Sequence, residues 1–490
     1  MKNYKKVIAL LMAASMTVGL AACGDKNGDN TEKKPDDNKP GSSQGGGGVD
    51  SQKEDEGDKY DPYTIQINPD TGEKWDLGGM DIIIRDWWTQ EQEVDESALS
   101  GYQKAQYEYR KWAQETYNFN IKEQAISGWG DVFTDLEAYA TTGGDENNYI
   151  FTMRFAGELI SQMNAGLYYD LGTLTSIDMN GEKWDPTVKE FGSVNGKIYA
   201  MRRMSHEPRT GVYFNKRILR ENGFDPQEIY TLQANRQWTW DKFEEYVKAL
   251  TKDTNADGVN DQYGFLEGNS LRGSAIASNG GNLVGRDSNG KYFLQAESEN
   301  TLEALTWAQH MIDDYNYPNP DETGEDWAYF WNTFKSGGAA FMVQQEYAAG
   351  QDLSDMEDEF GFVAFPMGPK ETSYVDLMQD NIHVLPACYD KDRANKLAFA
   401  YSLYYAPVPD YEDYSDYYAG AVSAFKDMDA PEQTLGYMSE KTVIMYHSFV
   451  PGISDGDLYW SINAETTPAA RMEELRDSWQ AYIDAANGES

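Results

Sequence analysis

Cysteine and histidine are scarce in this chain: two and four in 490 residues. His206, His310, His383 and His447 show no metal-ligand spacing, and Gly196-Lys197 runs on into Ile198 instead of completing a phosphate-binding loop. Gly452-Ile453-Ser454-Asp455-Gly456 spells the hydrolase nucleophile elbow in letters, but Pro451 stands where a strand must lead in. His447 is the last histidine, so the usual triad order is excluded. Positive charge is also in short supply, with 41 Lys and Arg against 82 Asp and Glu and a formal net charge of −41. Such a field repels phosphate backbones, so no nucleic-acid partner is expected. Long apolar runs are missing too, apart from Val7 to Leu20, which is too short to span a bilayer comfortably.

That one run has the form of a signal segment: Lys2, Lys5 and Lys6 precede it, and small Ala21 and Ala22 follow it. Leu20-Ala21-Ala22-Cys23 resembles the bacterial lipobox. Residues 1–22 are then a lipoprotein signal peptide, and Cys23 becomes a new N-terminus carrying palmitate or a similar acyl chain. The competing reading is an ordinary signal peptide with a cysteine near its cleavage site. Residues 23–59, almost wholly Gly, Ser, Asp, Asn, Lys, Glu and Pro, cannot bury enough apolar area to offset their ordering entropy. They read as a disordered tether holding a folded body at the extracytoplasmic face of the cell membrane. With Cys23 acylated, Cys388 has no disulfide partner and reads as a lone buried thiol.

From Met80 onward, short apolar runs alternate with helical periodicity, the pattern of an α/β body with largely parallel sheets. Asp81–Arg85, Phe119 with Ile121, and Tyr149–Met153 read as strands. Tyr102, Ala105, Tyr109 and Trp112 mark a helix face, as do Trp240, Phe243, Val247 and Leu250 behind a Thr239 cap. Leu302, Leu305, Ile312 and Tyr315 repeat the spacing, then Ala394, Leu397, Ala398 and Tyr401, then Met472, Leu475 and Trp479. More than four hundred residues, with 13% aromatics in the whole chain, suffice for two cores.

Several segments, taken in order, resemble the family 1 extracellular solute-binding proteins of ABC importers, the group that includes maltose- and oligosaccharide-binding proteins. They are Asn195–Ala200, Gly211–Lys216 with the turn at Leu219 and Gly223-Phe224, Trp238–Phe243, Ser278–Gly281, Phe334–Met342 and Gly361–Pro369. The resemblance implies a type II periplasmic-binding-protein-like fold: two α/β lobes, each a largely parallel sheet flanked by helices, closing about a hinge. Lobe 1 is expected over 80–203 and 368–410, lobe 2 over 204–367 and 411–490. It also implies a monomeric binding protein without catalysis, which captures a carbohydrate and hands it to ABC permease subunits.

A sugar needs flat aromatic faces beside fixed polar groups. Trp87 and Trp88 follow the first strand, and Arg154 and Phe155 follow the third, so these are expected to line the cleft, with lobe packing as the alternative for the tryptophans. Arg202 and Arg203 lie where the family's first crossover runs; they can fork onto hydroxyls or a carboxylate, or pair with the protein's own acids. Tyr347 stands where many relatives carry Trp. Trp129 with Asp131, Trp327 with Trp331, Asn381 and Trp460 are added for their loop contexts.

Asp253-Thr254-Asn255-Ala256-Asp257-Gly258 matches the start of a calcium loop, with the Val259 carbonyl and Asp261 as further ligands. Calcium variants of this loop recur at the matching helix end in some members of the family. Gly264 replaces the bidentate Glu at the twelfth position, and an Asp/Asn-rich turn without metal is the alternative. Two other functions stay open: a secreted glycoside hydrolase using two carboxylates, and a binding lipoprotein that serves a sensor or holds a peptide or other polar solute.

Overall fold

The computed structural model describes residues 61–489, apart from 91–93, 155, 204–206, 269, 322, 324, 325, 327, 380, 413 and 464. The signal segment, Cys23 and the tether lie outside the described residues, as do Phe155 and Trp327. Among the described residues no helix is long and apolar enough to cross a membrane.

Two four-stranded sheets organise the body. In the first, Met80–Asp86 pairs in parallel with Phe119–Ala125 on one side and Asn148–Met153 on the other. Ile382–Val384 closes the far edge, antiparallel to Asn148–Met153. The β-branched and aromatic residues Ile82, Ile84, Ile150 and Phe151 are buried, as strands covered by helices on their faces require. The helix Gly101–Tyr117 starts at a capping box between Ser100 and Gln103 and stops at Asn118, whose φ of 56° is left-handed. It buries Tyr102, Tyr109, Ala113 and Tyr117, leaving Ala105 and Trp112 at the margin of the expected face.

In the second sheet the order is Phe360–Ala364, Thr210–Asn215, Ala339–Gln345, Tyr263–Glu267. Thr210–Asn215 runs against both its neighbours, while Ala339–Gln345 and Tyr263–Glu267 are parallel. The helix Trp240–Leu250, capped by Thr239 as the sequence suggests, packs against this sheet. Its backbone comes so close that a Cβ at Gly264 would lie 2.0 Å from the Val247 carbonyl oxygen. Only glycine fits there. The helix Glu299–Tyr315 packs on the neighbouring helix Leu271–Ser278 and buries Ala304, Leu305, Ala308 and Met311, while Leu302 and Ile312 of the expected face are half-buried.

Each sheet anchors its own core. The first runs from Trp75 to Met201 and from Met378 to Leu403; the second runs from Val212 to Leu377 and from Tyr418 to Ile483. Tyr374, Val375 and Leu377 pack in the second core, so the chain returns to the first at Met378 and not at 368. The chain crosses between cores over 202–211, at 377–378 and over 404–417. Near 444–450 it threads between them, with Ile444 and Phe449 in the first core and Met445 and Val450 in the second.

Candidate functional site

The three parallel strands of the first sheet all end on one edge of their lobe, where open α/β sheets present ligands. Beyond that edge lies a cleft of about 2850 Å3, walled by both lobes and the crossings between them.

At its first wall, Asp86 ends the strand with a buried carboxylate. Its Oδ1 accepts from the Trp88 N–H at 3.1 Å and the Thr89 N–H at 2.9 Å, and its Oδ2 accepts from the Thr89 hydroxyl at 2.5 Å. This turn fixes the two indoles edge to face, 4.9 Å between centroids. Trp129 rises from a Gly-Trp-Gly turn, 60% exposed, with the Arg154 guanidinium 4.3 Å from its ring centre.

The floor carries alternating charge. Arg202 donates through Nη1 to the Asn381 carbonyl at 3.0 Å and pairs through Nη2 with Glu207 at 2.9 Å. Glu207 also pairs with Arg209 at 2.6 Å, and Arg209 reaches Glu346 at 3.4 Å. Burial pushes the Glu346 carboxyl up to about 8, with Arg209 pulling against it and Glu207 and Asp376 adding to it. Among the described residues its Oε2 has no hydrogen-bond partner. Beside this chain His383 is held neutral, down to about 3, by burial and then by Arg202, and its Nδ1 meets the Tyr401 hydroxyl at 2.9 Å.

Tyrosines from the third crossing form the remaining wall. Two of their hydroxyls are committed to the protein: Tyr405 donates to Glu123 at 2.6 Å and Tyr417 to the Pro208 carbonyl at 2.5 Å. Asp416 accepts from Tyr102 at 2.9 Å, Gln106 at 2.5 Å and Arg110 at 3.1 Å, three successive turns of one helix in the opposite lobe. Arg110 in turn lies 3.8 Å from the Tyr404 ring centre. What these rings offer a ligand is mainly their faces.

Of the residues singled out from sequence, the structure brings Trp87, Trp88, Trp129, Arg154, Arg202, Arg203, Tyr347 and Asn381 to this cleft. Three lie elsewhere. Asp131 heads the helix Val132–Thr141 without a side-chain capping bond and is not part of the cleft lining. Trp331 packs against the second core beside Phe330. Trp460, 66% exposed on another face, covers Arg272 at 5.4 Å. The loop expected around Trp331 is instead the short helix Tyr329–Lys335, and Trp460 follows the helix Asp455–Tyr459 directly.

Sequence reasoning missed Arg110, Glu123, Glu207, Arg209, Glu346, His383 and the connector tyrosines. The available signal was Tyr401, Tyr404 and Tyr405 at helical spacing, which reads equally well as core.

The loop 253–261 is folded on itself. Asp253 accepts from the Ala256 N–H at 2.7 Å and the Gly258 N–H at 2.8 Å, Asn255 from the Asp257 N–H at 2.9 Å, and Asp257 from the Val259 N–H at 2.8 Å. Asp261 takes the Thr254 N–H at 2.9 Å and the Asn255 N–H at 3.1 Å. Oxygen donors alternate as hard cations favour, yet among the described residues no three His, Cys, Asp or Glu side chains gather to hold a metal. The twelfth position is taken by the glycine that helix packing demands.

Residues 92–398 match the family described as bacterial extracellular solute-binding protein. No curated protein sequence matches the chain. The fold is similar to that of the ABC substrate-binding protein Lmo0181 from Listeria monocytogenes in complex with cycloalternan, at 16% identity and TM-score 0.57, covering 84% of this chain and 99% of that one. It is similar to the GacH receptor of Streptomyces glaucescens, solved unliganded and with acarbose, at 14% identity and TM-score 0.55, covering 83% and 99%. UgpB from Mycobacterium tuberculosis in complex with glycerophosphocholine is also similar, at 16% identity and TM-score 0.56, covering 83% and 99%.

Glu346 generates a pH prediction. A carboxyl raised from 4.5 to about 8 in the fold contributes stability that is fully present below its ordinary range and is lost as pH rises through about 8. Glu346→Gln keeps the neutral form at every pH. Melting curves taken across that interval should therefore be flatter for the variant, with its advantage over wild type greatest on the alkaline side. Parallel curves would assign the slope to other groups.

Proposed function

The chain belongs to the family of bacterial extracellular solute-binding proteins, and on that premise we propose that it captures a carbohydrate, an oligosaccharide, between its lobes and delivers it to the permease of an ABC importer. Lipid on Cys23 holds it at the outer face of the membrane, and it works by lobe closure without bond chemistry. The observation that carries this reading is the composition of the cleft. Its volume, about 2850 Å3, exceeds the ~300–1,000 Å3 of pockets that take one small molecule. Indole and phenol faces stand beside amides and paired charges, the combination that suits the apolar faces and hydroxyls of linked sugar rings. Glu123, Glu207 and Asp416 spend carboxylate oxygens on protein donors, which suits binding better than glycoside hydrolysis.

Titration of the full-length protein with linear and cyclic oligosaccharides, followed by tryptophan fluorescence and calorimetry, is expected to find a saturable ligand. Trp88→Ala should weaken it about tenfold, or ~1.4 kcal/mol, with no new reducing ends released. Stabilisation by peptides or glycerophosphodiesters alone would replace the sugar with another polar solute, and release of reducing ends would make the protein a hydrolase.

For the anchor, Cys23→Ser is expected to abolish acyl labelling and move the protein from the membrane fraction to the soluble one. Unchanged fractionation would remove the lipid from the account.

We also propose that the loop takes up calcium through Asp253, Asn255, Asp257, the Val259 carbonyl and Asp261, supported by the alternation of oxygen donors and the left-handed Gly258, φ 91°. Calcium added after chelation should raise the melting temperature, and Asp253→Ala should abolish the rise. Identical curves with and without calcium would leave the loop an Asp-rich turn.

A further inference from the structure

Trp129 is more exposed than Trp88, 60% against 44%, and the glycines on either side of it give its turn little steric restraint. An indole so placed loses rotamer freedom if it is to act as a fixed surface. Among the described residues, the one cationic or aromatic group against its ring is the Arg154 guanidinium, 4.3 Å from the ring centre. Arg154 is itself anchored. It follows the strand Asn148–Met153, which lies between two others in its sheet. Its guanidinium is 4.9 Å from the ring of Phe133, a core residue, and 3.6 Å from Glu158 one helical turn on.

We propose that Arg154 is a positioning residue: its guanidinium stacks on one face of Trp129 and so presents the other face at the cleft as a platform for the apolar face of a sugar ring. This rests on reading the cleft as a carbohydrate site. Arg154, expected from the sequence only to line the cleft, becomes the support of an aromatic surface. Cation–π stacking is of the same order as the rotamer entropy of the indole that it must offset. The opposite interpretation is that Arg154 serves the Glu158 ion pair, whose exposed acid makes it worth little.

Fluorine NMR of the full-length protein grown with 5-fluorotryptophan separates the two, with Trp129→Phe identifying the resonance. Arg154→Ala is expected to shift and narrow the Trp129 line while the other tryptophan lines stay in place. Arg154→Lys, which keeps the cation, should restore part of the shift, and Glu158→Gln should leave the line where it is. A Trp129 line indifferent to Arg154→Ala, or one that follows Glu158→Gln equally, overturns the proposal. Maltotetraose, mannotriose and cellotetraose serve as probes. One that moves the Trp129 line should bind at least about fivefold more weakly to Arg154→Ala and to Trp129→Ala, with the double variant no weaker than Trp129→Ala. If the double variant shows the product of the two losses, Arg154 contacts sugar directly and the positioning role fails. If no probe moves any line, the carbohydrate reading falls, and the ligand-free spectra still decide the role of Arg154.

Discussion

Four side chains meet at the first crossing, Arg202, Glu207, Arg209 and Glu346, basic alternating with acidic from one lobe to the other, and burial keeps the last of them neutral below about 8. Burying Arg202, Glu207 or Arg209 as a single charge would cost several kcal/mol, and pairing offsets the penalty. The chain therefore passes between the cores through a polar seam, and the two apolar clusters remain distinct. Asp376, at the second crossing, accepts from the N–H groups of Arg209 at 3.1 Å and Thr210 at 3.3 Å. Two crossings are thereby tied into one unit, and the cleft floor is built on it.

The walls follow a related economy. Each connector tyrosine that turns its hydroxyl inward satisfies a buried acceptor, which fixes the ring plane at the same time. Tyr405 does this for Glu123, whose carboxyl burial raises. Asp416 goes further, because it collects donors from three turns of a helix whose other face belongs to the opposite core. It stands in the first turn of its own helix, Asp416–Ala424, where a carboxylate also meets the favourable end of the dipole. One carboxylate thus answers to both lobes.

How much of this was legible depended on sequence distance. Trp87 and Trp88 could be placed because they follow an apolar strand directly, and their positions need only the rule that ligands gather at strand ends. Arg110 and Asp416 are 306 positions apart, and Arg209 and Glu346 are 137 apart; no local pattern joins them. Trp331 and Trp460 show the converse: the first, expected in a loop, lies in the short helix Tyr329–Lys335, and the second closes a helix of five residues, both too short for periodicity to reveal which way an indole faces. Gly264 is instructive as well. Read as a calcium loop, the sequence lacks an acid there; in the fold the position belongs to a strand whose contact with the helix Trp240–Leu250 leaves no room for one.

The net charge of −41 describes the exterior far better than the cleft. Arg110, Arg154, Arg202 and Arg209 all face that space, each beside an acid: Asp416, Glu158, Glu207 and Glu346 respectively. A ligand entering it meets paired charges and ring faces instead of a field of one sign. The surrounding surface repels anions at long range, and a neutral polyhydroxyl compound feels little of that repulsion. Charge of one sign thus belongs to the exterior, while the cleft presents the tryptophans of one lobe and the tyrosines between the two.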